Sequence, residues 1–365
     1  MSVYSTRSLA ASLALVRRTL LVGTLVIAAV VLLGLGGCDD DAGGPPWGRV
    51  PFPEAPSVDP RVAELGRLLF YDPVLSTDAE TACATCHSEL WGMSDGLPTS
   101  IGVGGGRLTG PGRKGGAAMT RNAPTLWNVG LRETLFLDGR EATLEQQVSA
   151  PLHSPIELGK PLNAVLAELR SIPEYVALFA AAFASNVPEA ALNEENFRKA
   201  LSDFERTLVS RDSLYDAFVA GDARALDADM QEGMRTFDAL GCTSCHVPPT
   251  FDMEGFFARG IGSGDRGRAE VSGLPEDEGA FRVPTLRNVR LTEPYFHDGS
   301  VATLEAAIAH EVRNETGRGP TARELEGLMA FLGRGLVDES REPDRPEVVP
   351  SGLPVPLDGF RVLRP

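Results

Sequence analysis

CATCH at residues 83–87 and CTSCH at residues 242–246 contain four of the five cysteines in this 365-residue chain. In each stretch two cysteines stand three positions apart, and a histidine follows the second one directly. The chain has only five histidines, so chance alone rarely produces this arrangement twice. The two stretches therefore predict the same chemistry at two places in one fold.

The spacing Cys-x-x-Cys-His is the attachment signature of c-type haem, because each thiol can bond a vinyl group while the histidine binds the iron. Two disulfides or a zinc site are the alternatives, but a disulfide between the two cysteines leaves the adjacent histidine unexplained both times. We therefore expect two covalently bound haem c groups. Their attachment cysteines and proximal iron ligands are Cys83, Cys86 and His87 at the first site and Cys242, Cys245 and His246 at the second.

A longer repeat follows each of these stretches. NAPTLWNVGLRETLFLDGREATLE (122–145) comes after the first, and RVPTLRNVRLTEPYFHDGSVATLE (282–305) comes after the second. Self-similarity over this length indicates that a whole domain was duplicated. The length of the chain also favours two compact units, and 43% hydrophobic residues suffice for their cores.

Helical signals dominate, and no convincing run of strands occurs. Asp59 is expected to cap a helix that begins at Pro60, and Thr143 with Gln146 predicts a capping box at the start of LEQQVSAPL. Further helices are expected in PLNAVLAELRS, PEYVALFAAAFA, NEENFRKALSDFERTLVS, ALDADMQEGMRTFDAL and TARELEGLMAFLGRGL. The glycine-rich segment 101–118 either covers one face of the first haem or forms a surface loop.

The N-terminal residues and the overall charge predict where the protein works. After Arg17 and Arg18, an uncharged apolar run ends in LGGC at 35–38, which resembles the lipobox of bacterial lipoproteins. We expect Cys38 to carry a lipid anchor, the only membrane contact, in preference to an uncleaved transmembrane segment. The formal net charge of −16 argues against nucleic-acid binding, since phosphates are neutralised by clustered Lys and Arg.

RNAPTLWN, DGR-ATLEQQ, PIELG and PYFHDGSVATLE together resemble the bacterial di-haem cytochrome c peroxidase superfamily, which includes MauG and MbnH-like enzymes. The resemblance implies a mainly α fold built from two tandem class I cytochrome c-like haem domains. It also implies that hydrogen peroxide meets the N-terminal haem and that the C-terminal haem supplies electrons. The expected organisation is a signal peptide (1–37), a Pro/Gly/Asp-rich tether (38–57), the peroxidatic N-terminal domain (58–205), the electron-transfer C-terminal domain (206–340) and a Pro-rich tail (341–365).

The resemblance also implies particular site residues. Glu157 and Gln147 match the polar pair on the distal side of the N-terminal haem. A carboxylate there can move a proton between the peroxide oxygens, and an amide can orient them. Asn122 and the carbonyl groups of Thr292 and Pro294 match the ligands of one calcium ion between the domains, a reasonable oxygen set for this cation.

The sequence departs from the family pattern at two positions near the first haem. Val103 stands where many members have a histidine that blocks the iron, so an open first haem is expected. Leu137 stands where the family usually has a tryptophan between the haems. This weakens the case for fast charge sharing through that position.

A third departure concerns the sixth ligand of the C-terminal haem. Fourteen residues after His297, where peroxidases have methionine and MauG has tyrosine, this chain has Glu311, with His310 just before it. Helical periodicity places Glu311 on the face of Leu304. Imidazole is the better iron ligand, however, so we prefer His310. The alternatives are Glu311, Met329 and water.

These observations favour an exported, periplasm-facing enzyme of a Gram-negative-type envelope that reduces hydrogen peroxide. Its electrons are expected from a small periplasmic cytochrome c or copper protein. The missing blocking histidine and the missing distal methionine favour a MauG-like or MbnH-like variant, which oxidises a side chain of a partner protein. The alternative is a di-haem electron-transfer cytochrome without catalysis. Family members are often dimers, so a homodimer is expected on that ground alone.

Overall fold

The computed structural model describes residues 44–262, 264–340 and 343–359. The predicted signal peptide and the predicted lipidation site at Cys38 lie outside the described residues. Within the described ranges, no helix is both long enough and apolar enough to cross a membrane.

Helices supply most of the regular structure, so the prediction of a mainly α fold is confirmed. They are α1 (Pro60–Tyr71), α2 (Cys83–Cys86), α3 (Leu144–Gln147), α4 (Ser149–His153), α5 (Leu162–Arg170), α6 (Pro173–Ala182), α7 (Pro188–Ala191), α8 (Glu194–Thr207), α9 (Leu214–Val219), α10 (Ala228–Ala239), α11 (Ala269–Ser272), α12 (Leu304–Thr316) and α13 (Ala322–Ala330). A π-helical turn, Phe331–Gly335, continues α13. The strands are short: β1 (Leu108–Thr109) pairs in parallel with β4 (Leu357–Asp358), and β2 (Phe256–Ala258) pairs antiparallel with β3 (Ala280–Arg282).

The predicted helix starts follow from local chemistry. The Asp59 carboxylate accepts a hydrogen bond from the Arg61 amide, and Pro60 occupies the first turn of α1, where its missing N–H costs nothing. The Thr143 hydroxyl likewise accepts from the Gln146 amide at the start of α3. The segment LEQQVSAPL then forms two short helices, α3 and α4, because Pro151 has no amide hydrogen to continue the first one.

The same kind of helix crossing occurs in both parts of the chain. Helix α1 packs on α8, and α10 packs on α13. A Cβ atom on Gly66 would collide with the carbonyl oxygen of Ala200, and one on Gly233 would collide with that of Gly327. Both crossings therefore need glycine, since backbone meets backbone at each contact.

Two clusters of buried side chains form the core. The first is built mainly from α1, α5, α6 and α8, and the second mainly from α9, α10, α12 and α13. The described end segments pack on the cluster that is distant from them in sequence. Trp47 donates to the Tyr215 hydroxyl at 2.9 Å, and Ser351 donates to the Asp72 carboxylate at 2.6 Å. The described parts of the predicted tether and tail therefore lie against the helices.

Candidate haem sites and active site

Each Cys-x-x-Cys-His motif lines a cavity of its own. The first cavity encloses about 780 Å³ and the second about 260 Å³. The motif residues on their walls are Cys83, Cys86 and His87 in the first and Cys242, Cys245 and His246 in the second. All four cysteines are free thiols, so neither motif closes a disulfide.

The two motif histidines are held in the same way by main-chain carbonyl groups. Nδ1 of His87 lies 3.2 Å from the carbonyl oxygen of Met93. Nδ1 of His246 lies 3.2 Å from the carbonyl oxygens of Phe251 and Pro284. When Nδ1 carries the hydrogen and donates it, Nε2 keeps its lone pair for a metal. Burial also lowers the pKa of both imidazoles, which favours their neutral, ligating form.

The environment of the thiols fits covalent attachment better than zinc binding. Burial raises the pKa of Cys83 to about 12 and that of Cys242 to about 12. It also raises the pKa of Cys86. Zinc is bound by thiolates, and forming thiolates here is costly, whereas a thioether carries no charge. The donor set in each cavity therefore fits haem c.

The two predicted distal residues lie on the wall of the first cavity. Gln147 ends α3, and Glu157 lies in the loop after α4. The Val103 amide donates to the carbonyl oxygen of Glu157 at 2.9 Å, which fixes the backbone there. Burial raises the pKa of the Glu157 carboxyl, while Arg140 acts in the opposite direction. A carboxyl group with a raised pKa and a neutral amide thus face the cavity that contains His87.

The glycine-rich loop 101–118 packs behind Glu157 without lining the first cavity. A Cβ atom on Gly102 would collide with the carbonyl oxygen of Ile156, so only glycine allows this contact. The buried guanidinium of Arg113 donates to the carbonyl oxygens of Ile101 and Gly102, each at 2.6 Å. The loop is therefore an ordered support for the distal residues, and it places no side chain over the cavity.

The structure adds one acidic residue that sequence reasoning missed. Glu205, on α8, also lines the first cavity. Burial raises the pKa of its carboxyl group to about 8. Its Oε2 atom has no hydrogen-bond partner among the residues that the structure describes. The first cavity therefore contains, besides Glu157, a buried carboxyl group whose neutral form is favoured by burial.

Leu137 and His297 lie where the two cavities meet, since each lines both of them. The His297 ring stacks on Phe281 with 3.8 Å between the ring centroids, and its carbonyl oxygen accepts from the Asn122 amide at 2.6 Å. The sequence departure at Leu137 therefore falls on the wall that separates the two cavities.

The second cavity presents Glu311 and not His310. Nε2 of His310 lies 2.8 Å from the carbonyl oxygen of Arg259, and the residue is absent from the wall of this cavity in the described structure. Glu311 is on that wall, and its Oε2 atom lies 2.6 Å from Nη2 of Arg259. Met329 lines neither cavity. The orientation of α12 thus turns the His310 side chain toward β2 and the Glu311 side chain toward the cavity.

The three predicted calcium ligands come together beside the second cavity. Asn122, Thr292 and Pro294 all line it. Nδ2 of Asn122 donates to the carbonyl oxygen of Pro294 at 2.8 Å. The structure thus brings the three residues together, with the Asn122 side chain hydrogen-bonded to the Pro294 carbonyl group.

A helical chain with two cavities, each containing a Cys-x-x-Cys-His motif and a carbonyl-bonded histidine, is a di-haem c-type cytochrome by its fold and donor set. Residues 60–224 match the family described as di-haem cytochrome c peroxidase. Cytochrome c551 peroxidase of Pseudomonas aeruginosa is 36% identical over 280 residues, which is 74% of this chain and 77% of that protein. The methylamine utilization protein MauG of Methylorubrum extorquens is 32% identical over 297 residues, which is 78% and 80% of the two chains.

A solved structure agrees with these relatives. A MauG-like protein associated with microbial copper homeostasis has a TM-score of 0.69 at 30% identity, covering 80% of this chain and 94% of that chain. The chain belongs to the di-haem cytochrome c peroxidase and MauG family. It is therefore a peroxidase-type oxidoreductase, and its family implies two haem c groups and hydrogen peroxide as substrate.

Proposed function

We propose that hydrogen peroxide is reduced in the first cavity, with Glu157 and Gln147 as the groups that act on it, and that electrons arrive through the second cavity. When bound, the two haem groups supply the redox chemistry, in which one peroxide takes up two electrons and two protons to give two water molecules. The observation that carries the proposal is that Glu157 and Gln147 line the same cavity as His87.

The roles of the two distal residues follow from the chemistry of the O–O bond. Its cleavage needs a proton to move from one peroxide oxygen to the other. A carboxylate on the cavity wall can accept and return this proton, which typically contributes about 10²–10⁴-fold to a rate. The amide of Gln147 can donate to a peroxide oxygen and hold it in place as charge develops. Burial suits Glu157 to this task, because a raised pKa makes proton exchange near neutral pH easier.

We infer that the first site remains open to peroxide in every oxidation state. The loop 101–118 has no histidine, and none of its residues lines the first cavity. The likeness to MauG and to the MauG-like structure supports a second candidate activity, oxidation of a side chain on a partner protein. A small cytochrome c or copper protein is the electron donor under the first activity, and a partner protein is the donor under the second.

We also propose the finer organisation expected from sequence. Residues 58–205 and 206–340 would be tandem class I cytochrome c-like domains that arose by duplication, a proposal supported by the paired helix crossings at Gly66 and Gly233. A calcium ion between the two domains is supported only by the position of Asn122, Thr292 and Pro294 on one wall of the second cavity. The LGGC sequence supports a lipid anchor at Cys38 and a periplasmic location. A homodimer rests on family habit alone.

The proposal is tested on the purified protein with both haems in place. We expect a high-spin ferric EPR signal from the first haem as isolated and a rapid change in the optical spectrum on adding peroxide, because Val103 replaces the family's blocking histidine and residues 101–118 do not line that cavity. Two low-spin haems that are inert to peroxide would instead establish an electron carrier. Steady oxidation of a reduced small cytochrome would identify a peroxidase, and peroxide-dependent modification of a partner protein without it would identify a protein oxidase.

A separate proposal concerns the second haem: Glu311, and not His310, controls its sixth coordination position. We expect His310→Ala to leave the EPR and resonance Raman signals of the second haem unchanged, since this imidazole bonds to a main-chain carbonyl away from the cavity. Glu311→Ala is expected to change them, because its carboxylate lies on the cavity wall. Glu305→Ala is the matched control, because Glu305 lies on the same helix but is exposed and does not line the second cavity. The opposite pattern for the first two variants would restore His310 as the ligand.

A further inference from the structure

Two buried arginines lie between the two cavities. The side chain of Arg132, which follows the turn Val129–Leu131, is 4% exposed. Arg282, the last residue of β3, is 5% exposed. Each of them lines both the first and the second cavity. Two positive charges are therefore placed at the boundary of two sites, where neither is solvated by bulk water.

These guanidinium groups are poorly satisfied by the protein. Nε and Nη2 of Arg132 and Nε of Arg282 are buried and have no hydrogen-bond partner within residues 44–262, 264–340 and 343–359. Asp252 is the acid paired with Arg132, with its Oδ2 atom 3.4 Å from Nε. Nη1 of Arg282 donates to the carbonyl oxygen of Val283 at 3.3 Å. One carboxylate thus stands beside two buried cations.

A second nearby acid is committed elsewhere. The carboxylate of Glu254 accepts from the Glu133 amide at 2.9 Å and from the Thr134 hydroxyl at 2.5 Å. Both of its oxygens therefore already bind partners outside the arginine pair. Burial, together with the charge of Arg132, lowers the pKa of Arg282 to about 9, which reflects the cost of placing these two charges together.

Two buried guanidinium groups with unpaired nitrogens are stabilised by a nearby anion. A buried charge is tolerated when it is paired and hydrogen-bonded. The guanidinium fork matches a carboxylate in geometry, with two parallel N–H donors. Because the unpaired nitrogens belong to residues that line both cavities, the missing carboxylates must belong to groups in those cavities. Each haem carries two propionates.

We propose that Arg132 and Arg282 form one shared carboxylate-binding site that holds a propionate from each of the two haems. This proposal rests on the proposed placement of one haem in each cavity. The shared site couples the haems electrostatically, so that a change of charge at one haem changes the midpoint potential of the other. It lies beside Leu137, whose carbonyl oxygen accepts from the Arg282 amide at 2.8 Å. The link therefore crosses the wall in which this chain lacks the family's tryptophan.

The test is a measurement of both haem midpoint potentials by spectroelectrochemistry on the purified di-haem protein. We expect Arg132→Gln and Arg282→Gln each to lower both potentials, because loss of a nearby positive charge favours the ferric state. Arg132→Lys and Arg282→Lys keep the charge and should retain most of each wild-type potential. Arg287→Gln is the matched control: Arg287 is fully buried but is paired with Asp216 and lines neither cavity.

The outcomes separate this inference from the proposed function. Potentials unchanged in both glutamine variants, or a shift confined to one haem, would overturn the shared site. If a glutamine variant does not incorporate both haems, the lysine variants test the shared site instead, through the resonance Raman bands of propionate bending. The frequencies of these bands should shift relative to wild type, because lysine lacks the two parallel N–H donors of the guanidinium group. Unshifted frequencies would contradict the shared site. Since potentials are measured without peroxide, a protein inert to peroxide could still show the expected shifts.

Discussion

Replacing Cys83 and Cys86 together with serine is expected to remove covalent haem from the first cavity and to lower peroxide turnover by roughly 10³-fold or more. Serine cannot form the thioether bonds, and the reaction with peroxide depends on the haem beside His87, Glu157 and Gln147. The measurements are the haem content per chain, from the pyridine haemochrome assay and intact mass, and steady-state turnover. We expect one haem per chain in this variant.

The matched control is the corresponding change at the second motif, Cys242→Ser with Cys245→Ser. This variant should also hold one haem, yet it should still react rapidly with the first equivalent of peroxide, because the first cavity is intact. Its steady turnover should fall, because the second haem is no longer present to deliver electrons to the first. If the Cys83 and Cys86 variant kept the rapid reaction and the control lost it, the roles assigned to the two cavities would be reversed.

The parts of the fold that sequence reasoning obtained correctly are those set by short-range signals. The helix start at Asp59 and Pro60 depends on a capping carboxylate and a missing amide hydrogen within three residues. Each haem attachment motif lies within five consecutive residues. The longer helices α5, α6, α8, α10 and α13 each lie within a segment predicted from its hydrophobic periodicity. Each of these features is determined by residues that are close together in the sequence.

At the sixth ligand of the second haem, the chemical preference and the geometric signal in the sequence point to different residues. Thr303 caps α12, and Leu304 and Ala307 are buried against the second cavity. Helical periodicity places Glu311 on the same face, and His310 one residue away is rotated by about 100°. The sequence therefore already indicated Glu311, but the stronger affinity of imidazole for iron favoured His310. A side chain can bind the iron only if the helix turns it toward the cavity, and on α12 that side chain is Glu311.

The arginine pair was missed because burial of a charge is not visible in one segment alone. In NAPTLWNVGLR and RVPTLRNVRLT, Asn122 is matched by Arg282, and Thr292 is matched by Arg132, so neither arginine recurs in the other repeat. Aligning the repeats therefore gives no sign that the two arginine side chains lie together. Glu205 offered no signal either, since it lies in an ordinary amphipathic helix.

Glu157→Gln is expected to lower kcat for peroxide reduction by about 10²–10⁴-fold, the range usually lost when a positioned proton-transfer group is removed. Glutamine keeps the size and the hydrogen-bonding capacity of the side chain but does not accept and return a proton. Haem content and the KM for the electron donor should therefore be unchanged. The matched control is Glu145→Gln, since Glu145 is paired with Arg206 at the surface, 36% exposed, and does not line the first cavity.

The pH dependence provides an independent check on the same residue. Glu157 accepts a proton only when it is ionised, so the wild-type rate should fall as the pH falls through its pKa. Because burial raises that pKa, this decline should occur at a higher pH than for an exposed glutamate. The Glu157→Gln variant should lack this limb of the profile, whereas Glu145→Gln should retain it. A variant at Glu157 with an unchanged acid limb would assign the proton transfer to another carboxyl group in the cavity, for which Glu205 and Asp138 are the other buried acids on its wall.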